Sequence, residues 1–151
     1  GASQPHRHIQ LLPRKSTENI CPRYNWFIDN IHAQKNPKLI RSALKGSYLV
    51  EPITDELNDY SGTKLYESYK EICNSLEIGN PLKDINPKVP YNLLLTNNWI
   101  SLFKRYKESA FGFPINSLGF AGYLLSTNHS NLKWLNENGL EKLLSEVVDT
   151  L

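Results

Sequence analysis

The sequence predicts an α+β fold with a mainly antiparallel sheet and flanking helices. Three observations carry that expectation: a helical apolar period after Thr63, two short apolar runs around an Asn97-Asn98 turn, and helix-like segments near residue 22 and at the carboxy-terminal end. With 151 residues, 40% hydrophobic and 21% charged, the chain is long enough to bury a core without disulfide or metal staples.

The elements follow in order. Residues 6–12, HRHIQLL, read as a strand that sets His6, His8, Gln10 and Leu12 on one face and Arg7, Ile9 and Leu11 on the other. Pro13 ends it, and residues 14–20 read as a polar loop. Residues 22–34 carry Trp26, Phe27, Ile28 and Ile31 at mostly helical spacing, with Pro22 suited to a first turn. Residues 35–62 are mixed, with SYLVEPI as a strand candidate before the turn-rich DELNDYSG. From Thr63, Leu65, Tyr69, Ile72 and Leu76 recur at helical intervals, and Gly79 stands where a helix stop is expected. Three prolines make residues 79–90 a connector. Residues 91–96 and 99–105 then form a strand pair, because asparagine tolerates the positive φ of a tight turn. A further strand is expected over residues 120–126, and one or two helices over NLKWLNENG and LEKLLSEVV.

Several function classes are disfavoured by composition. A net charge of +2, with basic residues spread along the chain, gives no footprint for nucleic acid. No apolar run approaches the ~20 residues that span a bilayer, and no signal peptide opens the chain, so a cytoplasmic protein with no membrane partner is expected. Cys21 and Cys73 form neither a disulfide framework nor a metal-binding pair and read as buried apolar residues. The absence of methionine and the abrupt start at Gly1-Ala2-Ser3 suggest part of a longer protein.

Chemistry concentrates in Ser3-Gln4-Pro5-His6-Arg7-His8-Ile9-Gln10. Two histidines spaced i, i+2 on a strand have Cα atoms about 6.6 Å apart on one face, so both rings can address one ligand. Attack on phosphorus needs a neutral imidazole nitrogen, which histidine supplies near pH 7. Covalent capture then divides one hard displacement into two easier ones. Gln10 offers amide protons to phosphoryl oxygens without adding negative charge. The same HxH spacing also suits metal ligands, but no cysteine or carboxylate lies close in sequence to complete a set, and no dedicated metal site is expected.

This segment is similar to the HxHxQ signature of the nucleotidyltransferase branch of the histidine-triad superfamily. A second stretch, PYNLLLTNNWISLFKRYKES followed by INSLGFAGYLL, resembles the carboxy-terminal module of the ATP adenylyltransferases, also called diadenosine tetraphosphate phosphorylases. The resemblance implies a histidine-triad-like sheet, part of a larger fold, divided into residues 1–90, the end of a catalytic domain with a helical connector, and residues 91–151, the carboxy-terminal module. It implies His8 as the nucleophile, His6 as its supporting histidine, Gln10 as a contact to the transferred phosphoryl group, and Ser3, Gln4 and Arg105 as phosphate contacts. The implied reaction is reversible phosphorolysis of diadenosine tetraphosphate to ATP and ADP through an adenylyl-histidine, with inorganic phosphate as co-substrate. Magnesium is expected to travel with the substrate phosphates, without a prosthetic group. A missing amino-terminal half of the same protein would supply much of the adenine and ribose pocket. The chain departs from the family at Lys104-Arg105-Tyr106, where a Pro-Arg-Ser is usual, so only Arg105 transfers. A hydrolase of the same fold and a non-catalytic nucleotide-binding module are the alternatives.

Other residues have plainer readings. His32 and His129 read as structural or solvent-exposed, and Arg7 as solvated or salt-bridged. Arg105 and Lys107 read equally well as phosphate ligands or as a charged strand end. Trp26 and Trp134 read as core. Asn116, Gly119 and Gly122 read as a turn with close packing ahead of a phosphate-cradling loop.

Overall fold

In the computed structural model, the described residues are 9–13, 15, 18, 20–34, 43–44, 46–53 and 62–148. The α+β expectation holds. Helix α1 (Tyr24–Gln34), strand β1 (Tyr48–Pro52) and helix α2 (Gly62–Ser75) precede strands β2 (Tyr91–Leu95) and β3 (Trp99–Lys104). A short hairpin, β4 (Ser109–Ala110) and β5 (Phe113–Pro114), leads into helices α3 (Ser117–Ala121) and α4 (Leu132–Val148).

The main sheet is antiparallel throughout, in the order β1-β3-β2, with Val50 opposite Ser101 and Leu93 opposite Leu102. One sheet is thus built from segments on both sides of residue 90. The first five residues of β3 are all buried, because both faces of this central strand are covered. Trp99 and Phe103 join Phe27 of α1, Phe120 of α3 and Leu143, Leu144 and Val147 of α4 on one face. Ile100 and Leu102 join Ile72 and Cys73 of α2, and Leu76 just past its end, on the other. The result is three layers, with α2 beneath the sheet and the remaining helices above it.

Aromatic rings dominate the upper layer. Phe27 stacks on Trp99 at 4.1 Å between centroids, and Phe103 on Phe120 at 4.3 Å. Arg23 seals its edge, with its guanidinium 4.1 Å above the Trp26 ring, a hydrogen bond of 2.9 Å to the Phe120 carbonyl and a 2.5 Å ion pair with Glu141. Trp26 and Trp134 pack against the core as expected, and both cysteines are buried.

Helix α2 ends differently from the sequence expectation. The Ile78 amide donates to the Cys73 carbonyl at 2.9 Å and the Glu77 amide to the Asn74 carbonyl at 3.0 Å, a Schellman closure with Glu77 at φ 57. The stop therefore falls on Glu77 and not on Gly79, because burying Ile78 against Cys73 fixes where the chain must reverse. Since a side chain in this region costs about 1 kcal/mol or more, Glu77→Gly is expected to stabilise the domain by roughly 0.5–1 kcal/mol in urea denaturation. An unchanged midpoint would mean that Glu77 sits there without strain.

Other expectations need correction. Residues 9–12 form no strand but an irregular segment, with Ile9 85%, Leu11 91% and Leu12 61% exposed. Alternation alone does not make a strand without a neighbour to pair with, and these residues join no ladder among the described residues. The strand expected at residues 120–126 is also overturned. Asn116 caps α3 by accepting from the Leu118 and Gly119 amides, and Gly122 closes it at φ 103. The turn at Asn97-Asn98 is present, but neither residue has positive φ. Thr96 builds it instead, its hydroxyl accepting from the amides of Asn98 and Trp99, each at 3.1 Å. The carboxy-terminal segment is two helical pieces joined at Gly139, whose φ 80 and ψ 170 break α4.

Candidate functional site

His6, His8, Ser3, Gln4 and Arg7 lie outside the described residues. Gln10 is exposed in the irregular segment, so among the described residues nothing assembles around it. His32 and His129 are exposed, as expected. Among the described residues, no three His, Cys, Asp or Glu side chains gather as metal ligands.

Arg105 stands at a strand end, as one of the two sequence readings has it, but it is buried. It follows β3 directly, on the same face as Phe103, and is only 2% exposed. Its amide donates to the Pro90 carbonyl at 2.8 Å, extending the β2–β3 ladder by one bond. One guanidinium nitrogen, Nη1, donates to the Ile115 carbonyl, while the other, Nη2, is buried without a hydrogen-bond partner. Burial lowers the proton affinity of this arginine, and Glu108 partly opposes the shift.

Asn92 shares that environment. It lies opposite Phe103 in the β2–β3 register, so Arg105 is its diagonal neighbour on one sheet face. Asn92 is 1% exposed, and its Oδ1 accepts from the Ser117 hydroxyl at 3.4 Å while its Nδ2 has no partner. Ile115 and Ser117 flank the cap residue Asn116, so the two sheet side chains meet the same turn at the head of α3. The site therefore holds one cation and two unused donor groups under a covering turn. Nothing singled out Asn92 in the sequence beyond its being the one polar residue in YNLLL, on the same strand face as Leu94.

The close packing expected of the glycines is present. A Cβ on Gly119 would lie 3.2 Å from Ile115 Cγ2, and one on Gly122 2.9 Å from Pro22 Cβ. These contacts hold α3 close to Ile115 in the turn before it and to the Pro22-Arg23 segment that leads into α1.

A separate pocket lies between the end of α2 and β2, lined by Tyr69, Cys73, Ile78, Asp84 and Tyr91. Its free volume of about 20 Å³ holds one water and not a nucleotide. The hydroxyls of Tyr69 and Tyr91 meet there at 2.7 Å, and burial pushes the Tyr69 phenol well up.

An antiparallel sheet covered by helices on both faces, with a buried arginine and amide where β3 ends and β2 begins, defines an α+β domain with polar groups in its interior. The family described as ATP adenylyltransferase C-terminal domain matches residues 42–149, and the chain belongs to it. Membership supports, at a coarse level, a transferase function with nucleotide substrates such as ATP. No curated protein and no solved structure matches the chain. Among the described residues, no helix is long and apolar enough to cross a membrane.

Proposed function

We propose that the protein carries out reversible phosphorolysis of diadenosine tetraphosphate through an adenylate bound to His8. The supporting observation is the order of two features along the chain: the Ser3–Gln10 segment with its HxHxQ pattern stands upstream of residues 42–149, which match the adenylyltransferase family.

In the first step an imidazole nitrogen of His8 attacks the α-phosphorus. The P–N bond forms, the bond from that phosphorus to the bridging oxygen breaks, and ATP leaves. In the second step an oxygen of inorganic phosphate attacks the same phosphorus, the P–N bond breaks, and ADP leaves. Dinucleotide and phosphate thus become ATP and ADP. His6 fixes the orientation of the His8 ring, while Gln10, Ser3 and Gln4 donate to phosphoryl oxygens as charge builds on them. Magnesium enters with the polyphosphate, whose charge it offsets. An amino-terminal half of the same protein completes the adenine and ribose pocket.

The test is intact-mass measurement of the full-length protein after incubation with diadenosine tetraphosphate but no phosphate. An added adenylate is expected, discharged as ADP when phosphate is supplied, and absent in His8→Ala. Discharge as AMP with or without phosphate would identify a hydrolase. Nucleotide binding with neither adduct nor turnover would leave a binding module.

A further inference from the structure

We propose that Phe111, backed by Trp134, is an exposed platform on which the base of a bound nucleotide stacks. Phe111 stands at φ 49 in the two-residue turn between β4 and β5, with Gly112 following at φ 78. A hairpin turn with two positive φ values favours Asn-Gly, and a bulky aromatic at its first position is an outlier. Burial of the ring does not account for it, since Phe111 is 39% exposed. Glu77 differs, because its positive φ follows from the burial of Ile78 next to it. Backbone strain kept at an exposed aromatic points to a use for the ring beyond the domain's own packing.

The ring is also held in place. The Asn131 amide donates to the Phe111 carbonyl at 2.9 Å, and the Ser130 and Thr127 hydroxyls donate to the Gly112 carbonyl at 2.8 Å and 3.2 Å. Trp134, itself half-buried, lies nearly parallel behind Phe111, with 3.7 Å between centroids and 16° between planes. One face of Phe111 is thus covered, and its exposure falls on the opposite face and the edge. A flat ring fixed before binding suits a flat aromatic ligand, because little freedom is left to lose when the two stack. Family membership supports nucleotide substrates such as ATP, and the base is the part of a nucleotide that fits such a face. The electron-rich face of the ring repels phosphate and offers ribose no hydrogen bond. The ligand class, a nucleotide bound through its base, rests on the nucleotide-transfer reading above and extends it to a residue of this chain.

The experiment uses the full-length protein as wild type, Phe111→Asn and Phe111→Tyr, with ATP and inorganic tripolyphosphate as ligands in titration calorimetry. Asparagine suits the positive φ, so Phe111→Asn keeps the turn and loses only the ring. That variant should bind ATP roughly 5- to 100-fold more weakly, the usual worth of one base stacked on an aromatic side chain, while its affinity for tripolyphosphate stays within about twofold. Phe111→Tyr keeps a ring face and should stay within about threefold of the wild type for both ligands. Irradiating the wild type with 8-azido-ATP, followed by peptide mass spectrometry, should label the Phe111-Gly112 turn or the first turn of α4. The platform is rejected if Phe111→Asn binds ATP as the wild type does, if it loses ATP and tripolyphosphate equally, as a disturbed fold would, or if the wild type binds no ATP. Should Phe111→Asn not fold, the labelled positions decide alone, and labels confined to other segments reject the platform. The His8 adduct separates the two readings: adduct formation beside unchanged ATP affinity in Phe111→Asn rejects the platform only, whereas a missing adduct beside a base-specific loss rejects the transfer reaction only.

Discussion

Phe103→Ala is expected to destabilise the domain by about 3–5 kcal/mol, close to the whole stability of many single domains. Phe103 is fully buried on the central strand and lies at the middle of the aromatic layer. Its ring stacks on Phe120 at 4.3 Å and on Tyr48 at 5.8 Å, and meets Phe27 edge-on at 6.1 Å. Truncation thus removes ring contacts from α1, β1 and α3 at once, beyond the lost apolar area. The surrounding wall is held by β3 pairing on both sides, so it has little freedom to collapse into the space. Urea denaturation checks the value, and Phe103→Leu, which keeps most of the volume, should cost less than half as much. A loss for Phe103→Ala below about 1.5 kcal/mol would show that the aromatic layer is loosely packed.

Much of this fold is legible in the sequence, and the misses have identifiable causes. Helix α2 shows because one apolar stripe faces the sheet while its other residues face solvent. The β2–β3 pair shows through two apolar runs of strand length separated by a polar break, although β3, covered on both faces, gives no alternation. Residues 120–126 mislead because FAGYLL has the composition of a strand. What decides its structure is the Asn116 cap and the close approach of Gly119 and Gly122 to their neighbours, which are facts of packing. Residues 9–12 mislead in the opposite way, since their alternation is genuine but a strand exists only beside another strand. Of the candidate site, Arg105 is legible as a charge at the end of a strand. Its burial is not, because that depends on a turn ten residues later folding back over it.

Gly112→Ala is expected to cost about 3 kcal/mol or more, through two effects that reinforce each other. Phe111 at φ 49 and Gly112 at φ 78 form the primed turn that joins β4 to β5. Phe111 tolerates this conformation in company with a stack on Trp134, at 3.7 Å between centroids. Gly112 has no such outlet. A Cβ there would lie 2.1 Å from the His129 carbonyl oxygen and 2.6 Å from its carbon, both backbone atoms that no rotamer change can clear. The 127–131 loop would have to retreat. In doing so it would break the hydrogen bonds to the Gly112 carbonyl from Ser130 Oγ at 2.8 Å and Thr127 Oγ1 at 3.2 Å, and the Asn131 amide bond to the Phe111 carbonyl at 2.9 Å. Asn131 also caps the start of α4 by accepting from the Trp134 amide, so the disturbance reaches the Phe111–Trp134 stack. Gly46→Ala is the control, since Gly46 has φ 87 but open space around it, and should lose only about 1 kcal/mol. Near-ultraviolet circular dichroism of the Trp134 environment, followed alongside urea denaturation, checks both. Equal losses for the two variants would mean that backbone conformation alone sets the cost and that the loop yields freely.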